Sequence, residues 1–488
     1  MSKVFPRAGV IAFVGIKRFA AAASVALFFG LWAGGAAGRP AVTATGNDWP
    51  RFGWSVQRSS APPFATGITA ANVGSLVRRQ VQLDGTVDSS AIYLHDVQIN
   101  GAAHDVFFVT TTYGKTEAID ATSGALLWRF TPPGYASWAG SAQITTSTPV
   151  ADPGRKWIYA ASPGGLIYKL AVADGHSAWG VSITLLPSRE KMAASLNYYN
   201  GHVIAVTGGY IGDAPPYQGH VAVIDAANGQ LLHVWNSLCS NRTGLIVPST
   251  CPASDSAMFG RAGAVIDPAN GDILTATGNA VWDGHTNWGD AALRLSPDAT
   301  KLLGNYTPSN TAELNTDDLD VGSTSPVLLS ENYLAQGGKD GKIRVLSVAR
   351  MRGTAPHLGG EAQTVSTPSG TDLFTAPAVW HQGKTTWMIA ADNGGTAAWR
   401  FSNGRLRRAW SNGTGGTSPV VAGGLLYVYS PGGGLNVYMP ATGKVVTTLS
   451  AGGGHWNSPI VVGGRIAEPE GNANDHSLTG VLDIWSTP

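Results

Sequence analysis

Cysteine is nearly absent from this chain: of 488 residues only Cys239 and Cys251 carry a thiol. No Cys-x-x-Cys-His run exists, which excludes covalent haem, and the 11 histidines are scattered without the paired spacing of a zinc site. Charge is scarce as well. Charged residues make up 13% of the chain, against a typical figure of about 25%. The net charge of +1 leaves no footprint for nucleic acid or an anionic membrane surface. A helical period is missing too: apolar residues alternate at period two between Gly-rich turns. Glycine is what abounds, at 63 residues, nearly double the usual share of about 7%. Many tight turns and few long polar helices would give this balance.

The first 44 residues differ from the rest. Lys3, Arg7, Lys17 and Arg18 precede an apolar run from Phe19 to Trp32, followed by small residues from Gly35 to Ala37. This is the layout of a secretory signal with cleavage near Ala37 or Ala44. The alternative is an uncleaved membrane anchor, for which the run is slightly short. No cysteine for lipid attachment and no twin arginine accompany it. Export to a periplasm or beyond is therefore expected, with residues 45–488 as one domain. In an oxidising compartment a disulfide between Cys239 and Cys251 would close the Ser/Thr/Pro-rich loop after Trp235; a reactive thiol is the other reading.

Within residues 45–488 one stretch returns repeatedly: Thr116-Glu117-Ala118-Ile119-Asp120-Ala121-Thr122-Ser123-Gly124-Ala125-Leu126-Leu127-Trp128. It predicts a strand, a tight turn held by Asp120 and Gly124, and a second strand ending in a large apolar plug, Trp128. A plug needs a slot in a neighbouring unit. Copies run from His220 to Trp235 and from Leu166 to Trp179, with weaker ones down to Val481–Trp485. Upstream of each copy stands a small residue, often followed by Pro, before an apolar run: Ser90-Ala91, Thr148-Pro149, Ser195-Leu196, Ala262-Gly263, Ser325-Pro326, Ala376-Pro377, Ser418-Pro419 and Ser458-Pro459. Eight units at a spacing of roughly 40 to 70 residues predict an all-β, eight-bladed β-propeller.

The opening Asp48-Trp49-Pro50-Arg51-Phe52-Gly53, joined to the Ala-x-Asp-x-x-x-Gly-x-x-x-Trp repeats, resembles the pyrroloquinoline quinone (PQQ) dehydrogenases and PQQ-like propellers. The resemblance covers about Asp48 to Trp485. It implies a ring closed by pairing of the two chain ends, bringing the Trp49 region to Val481–Trp485. Repeats are shared by enzymes and non-catalytic scaffolds, so function has to come from the site.

Three stretches are similar to the dehydrogenases' site. Thr277-Gly278-Asn279 matches their Thr-Gly-Asn segment, which implies Asn279 as a calcium ligand; otherwise Gly278-Asn279 builds a turn. Thr316-Asp317-Asp318-Leu319-Asp320 stands where the family has an acidic segment ending in a metal-touching base, which implies that role for Asp320, although Leu319 replaces the usual aromatic. The other reading is a solvated acidic loop. Gly338-Lys339-Asp340-Gly341 matches a basic residue beside a hairpin glycine, implying that Lys339 stabilises the reduced cofactor. Asp340-Gly341 is also an ordinary hairpin turn. Asp213 is the nearest candidate for a further metal ligand, about one residue out of register.

Two departures stand out. No adjacent cysteines exist to form the disulfide on which these enzymes sandwich their quinone, and the position of the facing Trp falls on Arg261. A guanidinium can stack on an aromatic plane and pair with carboxylates, so Arg261 is either a substitute or the mark of a lost cofactor site. Two functions follow. One is an exported oxidoreductase acting on an alcohol or sugar with PQQ and Ca2+, no haem, and an external electron acceptor. The other is a non-catalytic propeller with a protein partner, like those assisting outer-membrane assembly. The aromatic loop Trp282–Asp290, with His285, would cap the axial mouth or simply pack on a blade top.

Overall fold

The computed structural model describes residues 48–488. The expected leader, residues 1–44, lies outside the described residues, and no helix among those described is long and apolar enough to cross a membrane. The described chain forms eight four-stranded antiparallel sheets arranged as a β-propeller. Each small-residue marker stands just before the first strand of a sheet. Ser90-Ala91 precedes Ile92–Ile99 of blade 1, Thr148-Pro149 precedes Val150–Ala151 of blade 2, and Ser195-Leu196 precedes Asn197–Tyr199 of blade 3. Blades 4 to 8 begin likewise with Val265–Ile266, Val327–Ser330, Ala378–Gln382, Val420–Ala422 and Ile460–Val462. Small side chains suit the place where first strands of neighbouring blades touch, and proline is tolerated ahead of a ladder because no N–H is needed there.

The Trp plug behaves as its sequence predicts. Trp128, on Leu126–Phe130 of blade 1, crosses to blade 2, where its Nε1 donates to the Val172 carbonyl at 2.8 Å. Its ring lies on the turn glycine of that blade: a Cβ on Gly175, whose φ is +73, would come within 2.5 Å of the indole. Trp179 sits on Gly229 and Trp410 on Gly443 in the same way. Truncating such a buried indole to alanine costs about 3–5 kcal/mol.

The chain ends close the ring, as expected, but not through the Trp49 region. Val77–Leu83 pairs antiparallel with Gly480–Ser486, so the amino-terminal strand becomes the fourth strand of blade 8. Arg78 ties the seam, pairing at 2.7 Å with both Glu470 and Asp483. Trp49 bridges instead to Tyr93 of blade 1, although it shares a hydrophobic core with Trp485. The segment that begins at Trp49 seals one end of the axis. Backbone N–H groups of Tyr93, Ala151, Ile266, Val379, Val421 and Gly464 donate to Trp49, Pro50, Val56, Ser59, Ser60 and Thr66 carbonyls at 2.7–3.0 Å. Blade 3 is met by two buried arginines. Arg51 donates to Asn197 Oδ1 and the Tyr198 carbonyl, and Arg58 to the carbonyls of Phe52 and Leu196. The opposite end, where the first strands begin, is left to the loops.

Candidate functional site

At that end lies an axial cavity of about 330 Å3, lined by residues from many blades. Asp318, Ser323 and Lys339 line its blade 5 side, and behind them two loops meet backbone to backbone. One, 277–291, joins the second and third strands of blade 4; the other, 307–326, leads into blade 5. Two glycines permit the approach. A Cβ on Gly278 would come 2.1 Å from Asp320 Oδ1, and one on Gly322 would come 2.4 Å from the Gly278 nitrogen.

This contact brings Asn279, Asp320 and Lys339 together. Asp320, 3% exposed, accepts the Asn279 backbone N–H on Oδ1 at 2.7 Å and pairs through Oδ2 with Lys339 Nζ. Lys339 also donates to Asp318 Oδ1 at 3.1 Å, and Asn279 Nδ2 donates to the same oxygen at 2.8 Å. Burial pushes the Asp320 carboxyl up to about 6, with Lys339 pulling it back, while the two carboxylates raise the Lys339 ammonium against its own burial. Behind the wall, Asp290 holds the Val321 N–H at 3.0 Å, and burial raises its carboxyl to about 8. Asp340 does not join this group: it pairs with Arg344 and Lys342.

Asp213 lines the same cavity, and its Oδ1 accepts the Tyr217 hydroxyl at 2.8 Å. Arg261, 7% exposed, lines it as well; its NH1 donates to Thr146 Oγ1 at 3.0 Å and its guanidinium lies 5.9 Å from the Trp456 ring centroid. The Trp282–Asp290 loop is not part of the lining. Trp288 is buried and donates to Ser240 Oγ at 3.1 Å, Asp283 organises a turn through the N–H groups of His285, Thr286 and Asn287, and His285 stands away from the cavity. Cys239 and Cys251 are bonded, and their loop packs against Ala280 beside Asn279.

Sequence reasoning missed much of the lining. Lys191, Phe259, Phe374, Trp456 and the Asp88–His455 pair come from separate loops that share no linear motif. Asp88 is fully buried: Oδ2 accepts His455 Nδ1 at 2.7 Å and Oδ1 accepts the Trp456 N–H at 2.8 Å. The one available signal was position, because Asp88 and Trp456 lie just ahead of first strands.

Aromatic faces from Trp456, Phe259 and Phe374, with the cations of Arg261 and Lys339, fit a planar polyanion such as PQQ. Calcium fits less well. Asn279, Asp320 and Asp213 offer oxygen donors of the hard type, yet both Asp320 oxygens are already held by protein nitrogen. Among the described residues no three His, Cys, Asp or Glu side chains converge on a metal position.

The family described as "Outer membrane protein assembly factor BamB", a PQQ-repeat family, matches residues 85–244 and 384–481, more than half of the chain. A search of curated proteins found no match. Among solved structures, the quinohemoprotein alcohol dehydrogenase of Comamonas testosteroni is 15% identical, with TM-score 0.65, 92% of this chain and 82% of that one covered. A europium-containing methanol dehydrogenase is 14% identical, with TM-score 0.62 and coverage of 90% and 98%. BamB from Moraxella catarrhalis is 14% identical, with TM-score 0.51 and coverage of 84% and 98%. At these identities the likeness is one of fold.

Proposed function

Because the chain belongs to the PQQ-repeat propeller family, we propose that it is an exported, quinoprotein-like oxidoreductase that takes an alcohol or a sugar into its axial cavity. The observation that supports this reading most is Asp320: a buried carboxylate with its pKa raised to about 6, held by the Asn279 N–H and by Lys339. It lies directly behind Lys339, which lines a cavity furnished with aromatic rings and cations. A scaffold propeller has no need of such a group.

PQQ, when bound, would supply a quinone able to accept the two electrons that leave the substrate carbon, and an external acceptor would carry them away. The chain's own residues would do the rest. Arg261 and Trp456 would hold the planar ligand by charge and by ring contact. Asp320 is ionised above about pH 6 and would serve as base for the substrate hydroxyl by way of Lys339, which lines the cavity and would pass a proton to Oδ2 as it takes one from the substrate. Lys339 beside it would stay protonated and offset negative charge developing in the cavity. The deep cavity and sealed far end would limit the approach of water.

The test is a titration of the purified protein with PQQ, with and without calcium, following quinone absorbance and melting temperature. A bound ligand raises the melting temperature by mass action. Saturable binding that weakens in Asp320→Ala and Asn279→Ala supports the reading; no binding at high micromolar PQQ would sink it. The second reading is an envelope-assembly scaffold with a protein partner. The family description and the likeness to the M. catarrhalis protein favour it, and it becomes the leading one if PQQ fails.

A further inference from the structure

Another part of the cavity lining carries two cations, Lys191 and Arg261, beside a single ion-pairing carboxylate, Asp88. Lys191 is fixed there by its backbone, which exchanges hydrogen bonds with Gly208, and its ammonium has no ion pair among the described residues. Arg261 stands beside it, spending NH1 on Thr146 Oγ1 and NH2 on the Asp88 carbonyl. Arg261 pairs with Asp88, 3.7 Å from the guanidinium, whose oxygens also accept His455 Nδ1, the Trp456 N–H and the Ala473 N–H. Glu190, next to Lys191 in the chain, is bonded to Thr184 and the Gln218 N–H. Tyr210 and Asp213 complete the surroundings on the blade 3 side, and Lys339 with Asp318 faces them from blade 5. Asp213 is engaged by Tyr217, and Asp318 by Lys339.

We propose that Lys191 and Arg261 form a carboxylate-binding subsite for a small ligand in the axial cavity. A buried arginine and a half-buried lysine side by side, with one carboxylate between them, are costly unless a further anion joins them. A carboxylate can take the flat guanidinium and the point-charge ammonium together. Burial and the neighbouring Arg261 push Lys191 down to about 8, with Asp88 opposing, so capture of an anion restores its proton. The cavity volume of about 330 Å3 limits the ligand to a small molecule. The carboxylate has two sources: PQQ itself, or another small polycarboxylate if the cofactor reading is wrong. The subsite therefore stands apart from that reading.

Calorimetry on the full protein with citrate and, separately, with PQQ decides both. The expected result is citrate binding that weakens about tenfold in Lys191→Gln and recovers in Lys191→Arg, with the melting temperature of the unliganded variants little changed. Titration near pH 8 in two buffers of different ionisation enthalpy should report proton uptake on binding. Citrate binding that depends on Lys191, without any PQQ binding, keeps the subsite and removes the cofactor reading. PQQ binding of equal strength in wild type and Lys191→Gln does the reverse. Failure of both ligands to bind overturns the subsite.

Discussion

The two ends of the propeller axis use their polar groups in opposite ways. At the sealed end Arg51, Arg58 and the carbonyls of Trp49 to Thr66 are spent on the chain's own backbone. Burial lowers the proton affinity of both arginines, Arg51 to about 10, yet their donors are committed to carbonyls. At the open end Lys339 meets Asp318 and Asp320 beside a cavity, with Asp320 raised to about 6, and Lys191 on the cavity lining is lowered to about 8. One end commits its cations to the chain's own backbone carbonyls. The other keeps charge in readiness, which is where chemistry or recognition belongs.

The largest effect that would break this contrast is at the sealed end. Arg58→Ala leaves several buried carbonyls without a donor and should cost about 3 kcal/mol in urea unfolding, with ligand affinity unchanged in the protein that remains folded. Loss of affinity along with stability would mean that the ends are not independent. At the open end the converse is expected. Asp320→Asn should lower kcat/KM for an alcohol or sugar by about a hundredfold, while the melting temperature moves little. Removing the Cys239–Cys251 bond, whose loop separation is 12, should cost about 2–3 kcal/mol. Because that loop backs Ala280, ligand affinity should fall as well, which sharpens the contrast with Arg58→Ala.

The smallest effect is on pH. Burial raises the Asp320 pKa to about 6, so its carboxylate forms as pH rises through that value, and kcat/KM should climb there. The stability term runs the other way: a raised carboxyl pKa favours the fold most at low pH, and that contribution is lost as pH rises through about 6. A rate profile flat between pH 5 and 7 would remove Asp320 as the base.

How much of this could be read beforehand varies by kind of residue. The eight markers fall ahead of eight first strands, because each blade repeats one packing problem and so leaves a periodic trace. Trp128 announces its own slot in the same way. The site is less legible. Asn279, Asp320 and Lys339 were visible since each sits in a local motif within two adjacent blades, and the structure brings these three together. Lys191, Asp88 and Trp456 meet only through closure of the ring, and nothing linear records that. The Trp49 segment misled for a related reason: its apolar residues do reach the core around Trp485, but the backbone edge that blade 8 needed was supplied by Val77–Leu83.

That closing strand also sets an order of events. Arg78 and its partner Glu470 are 392 residues apart, so the ring cannot be completed until nearly the whole chain is available. Contacts of such long range slow folding, because so much loop must be gathered before they form. A chain threaded across a membrane from its amino terminus would thus arrive with its first strand exposed and waiting. Whatever guards that lone edge in the interval would guard the protein's whole supply of folded copies.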